Sequence, residues 1–127
     1  MEKEGEIDFQ MMGHFSKELI LEDIDFCILL SNILDNAREA LLEQRLGKRI
    51  LQMEIKQYQE HYYLRVRNST GKEMIDFSST DKKNAVNHGY GIRNIKGVVE
   101  KYHGTVEWRY ENHMVEVKVA ISGQKKE

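Results

Sequence analysis

The stretch Ile24-Asp25-Phe26-Cys27-Ile28-Leu29-Leu30-Ser31-Asn32-Ile33-Leu34-Asp35-Asn36-Ala37-Arg38-Glu39-Ala40-Leu41-Leu42-Glu43-Gln44 reads as one long helix. It contains neither Gly nor Pro, and Phe26, Leu29, Leu30, Ile33, Leu34, Ala37 and Leu41 fall at helical spacing. Asp23 or Asp25 can cap its start, and Gly47 can end it. Asn32 and Asn36 are four residues apart, so they stand one above the other, about one 5.4 Å turn apart. Glu39 and Glu43 continue that polar stripe.

Two asparagines on an otherwise apolar helix are costly if buried without partners. Either they face water or they line a site. A carboxamide oxygen is a hard, neutral ligand, suited to a Mg²⁺ ion that keeps most of its waters and also holds phosphates. The helix pattern does not choose between the two; the rest of the chain does.

Working outward, Ile7 to Met12 reads as a first strand, and Lys17 to Leu21 as a short extended segment leading into the helix, with Gly13 between them. Beyond the helix, Arg49 to Tyr58 alternates, with Leu51, Met53 and Ile55 on one face. After Gln59, Glu60 and His61, Tyr62, Leu64 and Val66 alternate with Tyr63, Arg65 and Arg67, which predicts a β-hairpin with one face against the helix. Asn68 to Gly91 is polar and aperiodic, with one possible turn at Met74 to Phe77; so long an irregular stretch in a compact domain is often functional. A second helix is expected over Ile92 to Tyr102, stopped at Gly104. A last hairpin pairs Thr105 to Tyr110 with Met114 to Ile121, with Asn112 in its turn. This order predicts an α+β fold: a two-layer α/β sandwich in which helices cover one face of one mixed sheet. Residues 1–127 form a single domain in this reading, with loose tails at 1–5 and 123–127.

Composition narrows the function. The formal net charge of −2 with mixed signs offers no basic field for nucleic acid. The single cysteine, Cys27, lies in the apolar helix; it excludes a disulfide framework, fits a reducing compartment, and is expected to be buried and inert. No apolar run reaches membrane-span length and no signal peptide is visible, so membrane contact is not expected. No His/Cys cluster has zinc spacing.

His88-Gly89-Tyr90-Gly91-Ile92-Arg93-Asn94 opens the second helix. Glycines two apart let the backbone pass close to a ligand, and a helix N-terminus with free N–H groups suits phosphate. Lys82 and Lys83 lie just upstream, with Ser78, Ser79 and Thr80 as hydroxyl donors; solubility alone is the competing explanation for the lysines. The P-loop pattern G-x-x-x-x-G-K-S/T is absent. The dinucleotide fingerprint needs a strand before the glycines, and a long polar loop stands there instead.

Asn32-Ile33-Leu34-Asp35-Asn36-Ala37 resembles the N-box of the gyrase, heat-shock chaperone, histidine kinase and mismatch-repair (GHKL, Bergerat-fold) ATPase superfamily, and His88-Gly89-Tyr90-Gly91-Ile92 resembles its second glycine box. The order of N-box helix, hairpin, lid loop, glycine box, helix and hairpin is similar to the whole ATP-binding fold. Within the superfamily the chain looks most like quorum-sensing histidine kinases of the accessory-gene-regulator type, which carry a similar S-N-x-L-D-N-A-x-E-A stretch and H-G-x-G-L/I-x-N-I before the second helix.

The resemblance implies ATP and Mg²⁺ as ligands. Asn36 would coordinate the Mg²⁺ that bridges the phosphates, and Asn32 would lie beside them. Gly89 and Gly91 would let the backbone wrap the phosphates, with His88, Tyr90 and Ile92 alongside, and Lys82 or Lys83 would reach them from the lid. Asn68 stands where the family's first glycine box, D-x-G-x-G, has the Asp that accepts from the adenine amino group; an amide oxygen can accept the same bond without charge. Hydrolysing relatives place a Glu four residues before the metal-binding Asn. Here that residue is Asn32, which takes no proton at neutral pH, and this favours γ-phosphoryl transfer over hydrolysis.

Of the five histidines, His14 lies in a stretch only faintly like a phospho-acceptor box, with no room before residue 24 for a dimerisation helix. His61, His103 and His113 are expected to be exposed at turns and a helix end. The implied function is the catalytic domain of a two-component sensor histidine kinase, a cytoplasmic and monomeric piece of a membrane-anchored protein. Its partners would be a histidine-bearing dimerisation domain absent from this chain and a downstream response regulator. The rivals are a stand-alone serine kinase like the anti-sigma factors, and a non-catalytic interaction module with a degraded nucleotide site.

Overall fold

The computed structural model describes residues 7–13, 22–45, 47–59, 61–71 and 90–122. They form β1 (Asp8–Met12), α1 (Asp23–Glu43), β2 (Ile50–Tyr58), β3 (His61–Ser69), α2 (Tyr90–Lys101), β4 (Thr105–Glu111) and β5 (Met114–Ser122). The sheet runs in the order β1-β2-β3-β5-β4; β1 pairs with β2 in parallel and the other neighbours are antiparallel. This is the expected two-layer mixed sheet. The extended segment at Lys17 to Leu21, the turn at Met74 to Phe77, His14 and the two tails lie outside the described residues.

Strand alternation sorts the two faces. Met53, Ile55, Tyr62, Leu64, Val66, Val117, Val119 and Ile121 are buried under the helices. The opposite face carries Glu54, Arg65, Arg67 and Glu116, joined by ion pairs of 3.3 Å (Arg65 to Glu54), 3.6 Å (Arg65 to Glu116) and 3.9 Å (Arg67 to Glu116). The β4–β5 loop is Asn112-His113 with φ of 51° and 61°. That two-residue loop with both φ positive has the twist that a tight hairpin needs.

Along α1 the buried stripe is Asp25, Leu29, Ile33, Ala37 and Leu41, one residue in four. Cys27 projects to the other side and is exposed, which corrects the expectation that it is buried: two residues along a helix turn the side chain through about 200°. Phe26, Leu30 and Leu34 are half-buried flanks of the stripe.

The helix ends also differ from expectation. Glu22 is the N-cap of α1 and makes no side-chain cap, where Asp23 or Asp25 was expected in that position. Asp25, the third helical residue, is instead buried and meets the far end of α2. Its Oδ2 accepts from the Tyr102 hydroxyl at 2.7 Å and pairs with the Lys101 Nζ at 2.9 Å. The same hydroxyl accepts the Glu22 backbone N–H at 3.0 Å. A capping box normally brings the third residue's carboxylate back to the N-cap N–H; here Tyr102 relays that bond, so the start of α1 is capped only when α2 is docked. The C-cap of α1 is Gln44 rather than a residue at Gly47, and its carbonyl accepts from Arg49 Nε and Nη2 at 3.2 and 2.8 Å.

The stop of α2 is a Schellman turn: His103 N–H donates to Glu100 O at 3.0 Å and Gly104 N–H to Val99 O at 2.8 Å. The left-handed residue is therefore His103, with φ 56°, and not Gly104. Gly104 is required for space, because a Cβ there would run into the Ala120 carbonyl oxygen and lie 2.5 Å from Ile121 Cγ2.

The Asp25 cluster has an alkaline signature. The hydrogen bond that the Lys101 ammonium donates to Asp25 holds it above its ordinary 10.5, against a smaller opposing effect of burial. Burial, reinforced by Asp25, pushes the Tyr102 hydroxyl above 10.0. Folded Lys101 keeps its proton at a pH where the unfolded chain loses it, and so does Tyr102. Both contributions are complete below the unfolded values and are lost as pH rises through the folded ones. The thermal midpoint is expected to fall from about pH 10 upward, more steeply than in Tyr102→Phe with Lys101→Met, as scanning calorimetry across that range will read.

Candidate functional site

The two helices run antiparallel, which the pairing of Asp25 with Tyr102 at one end and of Asn32 and Asn36 with Gly91 at the other makes plain. Asp25 and Asn36 are as far apart in the chain as Gly91 and Tyr102, so docking the Asp25 end sets what faces the start of α2. There, a Cβ built on Gly91 would lie 3.4 Å from Asn32 Oδ1 and 3.4 Å from Asn36 Oδ1. Two neutral amide oxygens thus lie side by side against the place that a side chain at Gly91 would take, with Asn36 Nδ2 at 3.8 Å.

Asn32 is aimed by its own backbone: Nδ2 donates to Ile28 O at 2.6 Å, which turns Oδ1 toward α2. No described residue bonds the Asn36 carboxamide. Both asparagines are half-buried, and Gly91 is buried. The helix α2 begins at Tyr90, two residues earlier than expected, so Gly91 lies in the first turn, whose N–H groups have no partner within the helix. No acidic residue stands in that turn. A helix start with its positive dipole end, and hard oxygens beside it, suit an anion together with a hard cation.

Asn68 sits at the end of β3 on the helix-covered face, in phase with Tyr62, Leu64 and Val66, and is 6% exposed. It belongs to the strand, which runs two residues past the expected end at Arg67. Its Nδ2 donates to Ser69 O at 3.1 Å. No described residue donates to its Oδ1. Among the described residues, no side-chain nitrogen or oxygen is both sealed from water and unpartnered.

The residues present fit ATP and Mg²⁺: an oxygen pair suits the cation, a helix start suits phosphate, and a carboxamide oxygen can accept from an amino group. Among the described residues, no group of three or more His, Cys, Asp or Glu could hold a metal. Ile92 is half-buried beside Gly91 in α2. Lys82, Lys83, His88 and Gly89 lie outside the described residues, as does the side chain of Tyr90. His61, His103 and His113 are exposed, as expected.

Sequence reasoning missed a buried polar group next to Asn68. Ser69 Oγ donates to Gln44 Oε1 at 2.6 Å and accepts from Ile50 N–H at 2.8 Å, while Gln44 Nε2 donates to Lys48 O at 3.1 Å. Gln44, Ser69 and Thr70 are all buried. The only signal in the sequence is a Ser and a Thr following an alternating strand, which any turn also shows.

Residues 21–122 match the family model of the GHKL domain. No curated protein matches the chain significantly in sequence. Among solved structures, the catalytic domain of histidine kinase ThkA superposes with a TM-score of 0.70 at 16% identity, over 92% of this chain and 78% of that one. The histidine kinase domain of the Erythrobacter litoralis EL346 blue-light activated kinase gives 0.66 at 14% identity, over 92% of this chain and 55% of that one. The Acinetobacter baumannii histidine kinase AdeS gives 0.62 at 13% identity, over 94% of this chain and 54% of that one. The chain thus spans about half of those two kinase structures, and the fold is that of histidine kinase catalytic domains.

Proposed function

Since this chain belongs to the GHKL domain family, we propose that it is the ATP-binding catalytic domain of a two-component sensor histidine kinase. The observation that carries the proposal is the convergence of the Asn32 and Asn36 oxygens on Gly91 at the start of α2. Asn36 holds Mg²⁺, Asn32 lies beside the phosphates, and the first N–H groups of α2 face phosphate oxygens. Asn68 Oδ1 accepts from the adenine amino group. Mg²⁺, when bound, neutralises charge on the β- and γ-phosphates. Lys82 and Lys83 add to that from the lid, on the strength of the sequence motif.

The γ-phosphoryl then passes from ADP oxygen to a histidine nitrogen of a separate dimerisation domain, and onward to a response regulator. Asn32 stands where a hydrolytic base would be needed and cannot accept a proton, which supports transfer over hydrolysis. The S-N-x-L-D-N-A-x-E-A motif supports a place among quorum-sensing kinases. No helix among the described residues is long and apolar enough to cross a membrane. We place the domain on the cytoplasmic side, where ATP and the regulator are.

Calorimetric titration with a non-hydrolysable ATP analogue tests this reading. Binding in the micromolar to sub-millimolar range that requires Mg²⁺ is expected. No heat and no thermal shift at several millimolar would favour the non-catalytic module. Asn68→Asp is expected to retain adenine binding, since a carboxylate also accepts. It should lower stability by about 1–2 kcal/mol, because an oxygen then faces Ser69 O in place of Nδ2. Urea unfolding beside the titration will read both, and loss of ATP binding in a folded variant would remove Asn68 from the base site.

A further inference from the structure

We propose that the outer edge of β4 pairs with the same edge of a second copy of this chain, antiparallel about a two-fold axis at Trp108, and so makes a dimer in place of the expected monomer. The inference does not depend on the nucleotide reading.

Among the described residues, β4 ends the sheet, with β5 on one side and no strand on the other. The direction of its backbone groups follows from its neighbours. Thr70 N–H donates to His113 O at 2.9 Å, so every second residue of β5 beyond it, Val115, Val117 and Val119, turns its backbone bonds toward β3. Met114, Glu116 and Lys118 turn theirs toward β4, onto Glu111, Arg109 and Glu107. The N–H and C=O groups of Val106 and Trp108 therefore point to the outer edge. Their side chains lie on the helix-covered face, half-buried against the core, and Lys96 Nζ stands 5.8 Å from the Trp108 ring centre.

Charge selects the partner. Glu107 and Arg109 are exposed on the other face, where Glu107 lies opposite Lys118 and Arg109 opposite Glu116. With Trp108 set against Trp108 of a second copy, Glu107 falls opposite Arg109 of that copy, and Arg109 opposite its Glu107. Charges of alternating sign then cross the seam, from Lys118 and Glu107 of one copy to Arg109 and Glu116 of the other, and the same in reverse. Centring the pair on Glu107 or on Arg109 would set like charges against each other. A slip of one residue on one strand would set the helix-covered face against the open one. In the register centred on Trp108, the two Trp108 residues exchange backbone bonds, and Val106 stands opposite Tyr110 of the second copy, so apolar side chains continue across the seam.

The other end of the sheet fits less well, since β1 carries one charge, Asp8, and Lys48 pairs with it at 3.2 Å. An edge that matches itself about a two-fold axis closes on a dimer, whereas one that matched β1 would grow open chains. A seam made by one seven-residue strand from each copy is small, so a dissociation constant of roughly 10 μM to 1 mM is expected.

Sedimentation equilibrium of the purified chain at low salt, up to about 1 mM protein, tests this. Glu107→Arg and Arg109→Glu are each expected to weaken self-association at least about tenfold, because each sets like charges opposite one another twice across the seam. Mixed in equal amounts, the two variants are expected to pair with each other as tightly as the wild type pairs with itself, since opposite signs face again. Backbone hydrogen exchange reads the seam without any substitution, and decides should a variant fail to fold. The Val106 and Trp108 N–H groups are expected to exchange more slowly as protein concentration rises, while those of Glu107 and Arg109, already turned to β5, hold steady. A chain that stays monomeric, variants that self-associate like the wild type, a mixture that does not pair, or assemblies larger than a dimer overturn the proposal. So does exchange at Val106 and Trp108 that ignores concentration. The titration with the ATP analogue decides the nucleotide reading separately.

Discussion

Asn36→Ala is expected to weaken Mg²⁺-dependent ATP binding by at least about 100-fold, the scale of losing a group that engages a metal–phosphate charge. The fold should hardly change. Asn36 is half-buried, and no described residue bonds its carboxamide, so the folded protein loses little with it. Truncation removes one of the two oxygens that converge beside Gly91. The other, on Asn32, stays aimed by the bond from its Nδ2 to Ile28 O. A titration with and without Mg²⁺ gives the affinity and an unfolding curve gives the stability. A folded variant of unchanged affinity would take Asn36 out of the site.

Asp25→Ala should destabilise the domain by about 2–3 kcal/mol, because it strips a buried hydroxyl of its acceptor and an ammonium of its partner. The upper range for broken buried pairs is not reached, since Lys101 is 36% exposed and can turn to water. The more specific consequence lies at the other end of the helix pair. Asp25 with Tyr102, and Asn36 with Gly91, are matched contacts on two antiparallel helices. Loosening the first lets α2 slide against α1, and ATP affinity should fall several-fold although the substitution is far from the nucleotide. Tyr102→Phe removes the hydroxyl that relays the cap from Glu22. The double variant should cost less than the two single ones added, because they share one bond. Additivity within about 0.5 kcal/mol would show that the two groups act separately.

The register of α1 on the core was legible: Leu29, Ile33, Ala37 and Leu41 repeat every fourth residue, and burial follows them. The face of Asn68 was not, since the alternation is legible only as far as Arg67 and the strand runs on to Ser69. Cys27 is an apolar residue in an apolar helix, yet it is exposed, because direction about the axis and not composition decides burial. The partner that draws Asp25 away from a local cap, Tyr102, is 77 residues distant. Local propensity favours glycine at the stop of α2, whereas His103 takes the left-handed position and the backbone of β5 claims the space beside Gly104.

Local periodicity, turn chemistry and the spacing of a few asparagines and glycines were enough to determine the elements, the layering and the chemistry on offer, because each is a matter of neighbours in the chain. Where those groups meet was decided elsewhere. Gly91 meets Asn32 and Asn36 only when two antiparallel helices dock, and the Ser69 hydroxyl meets Gln44, 25 residues away, only when β3 lies beside the end of α1. Such contacts depend on partners that only the packed chain brings within reach.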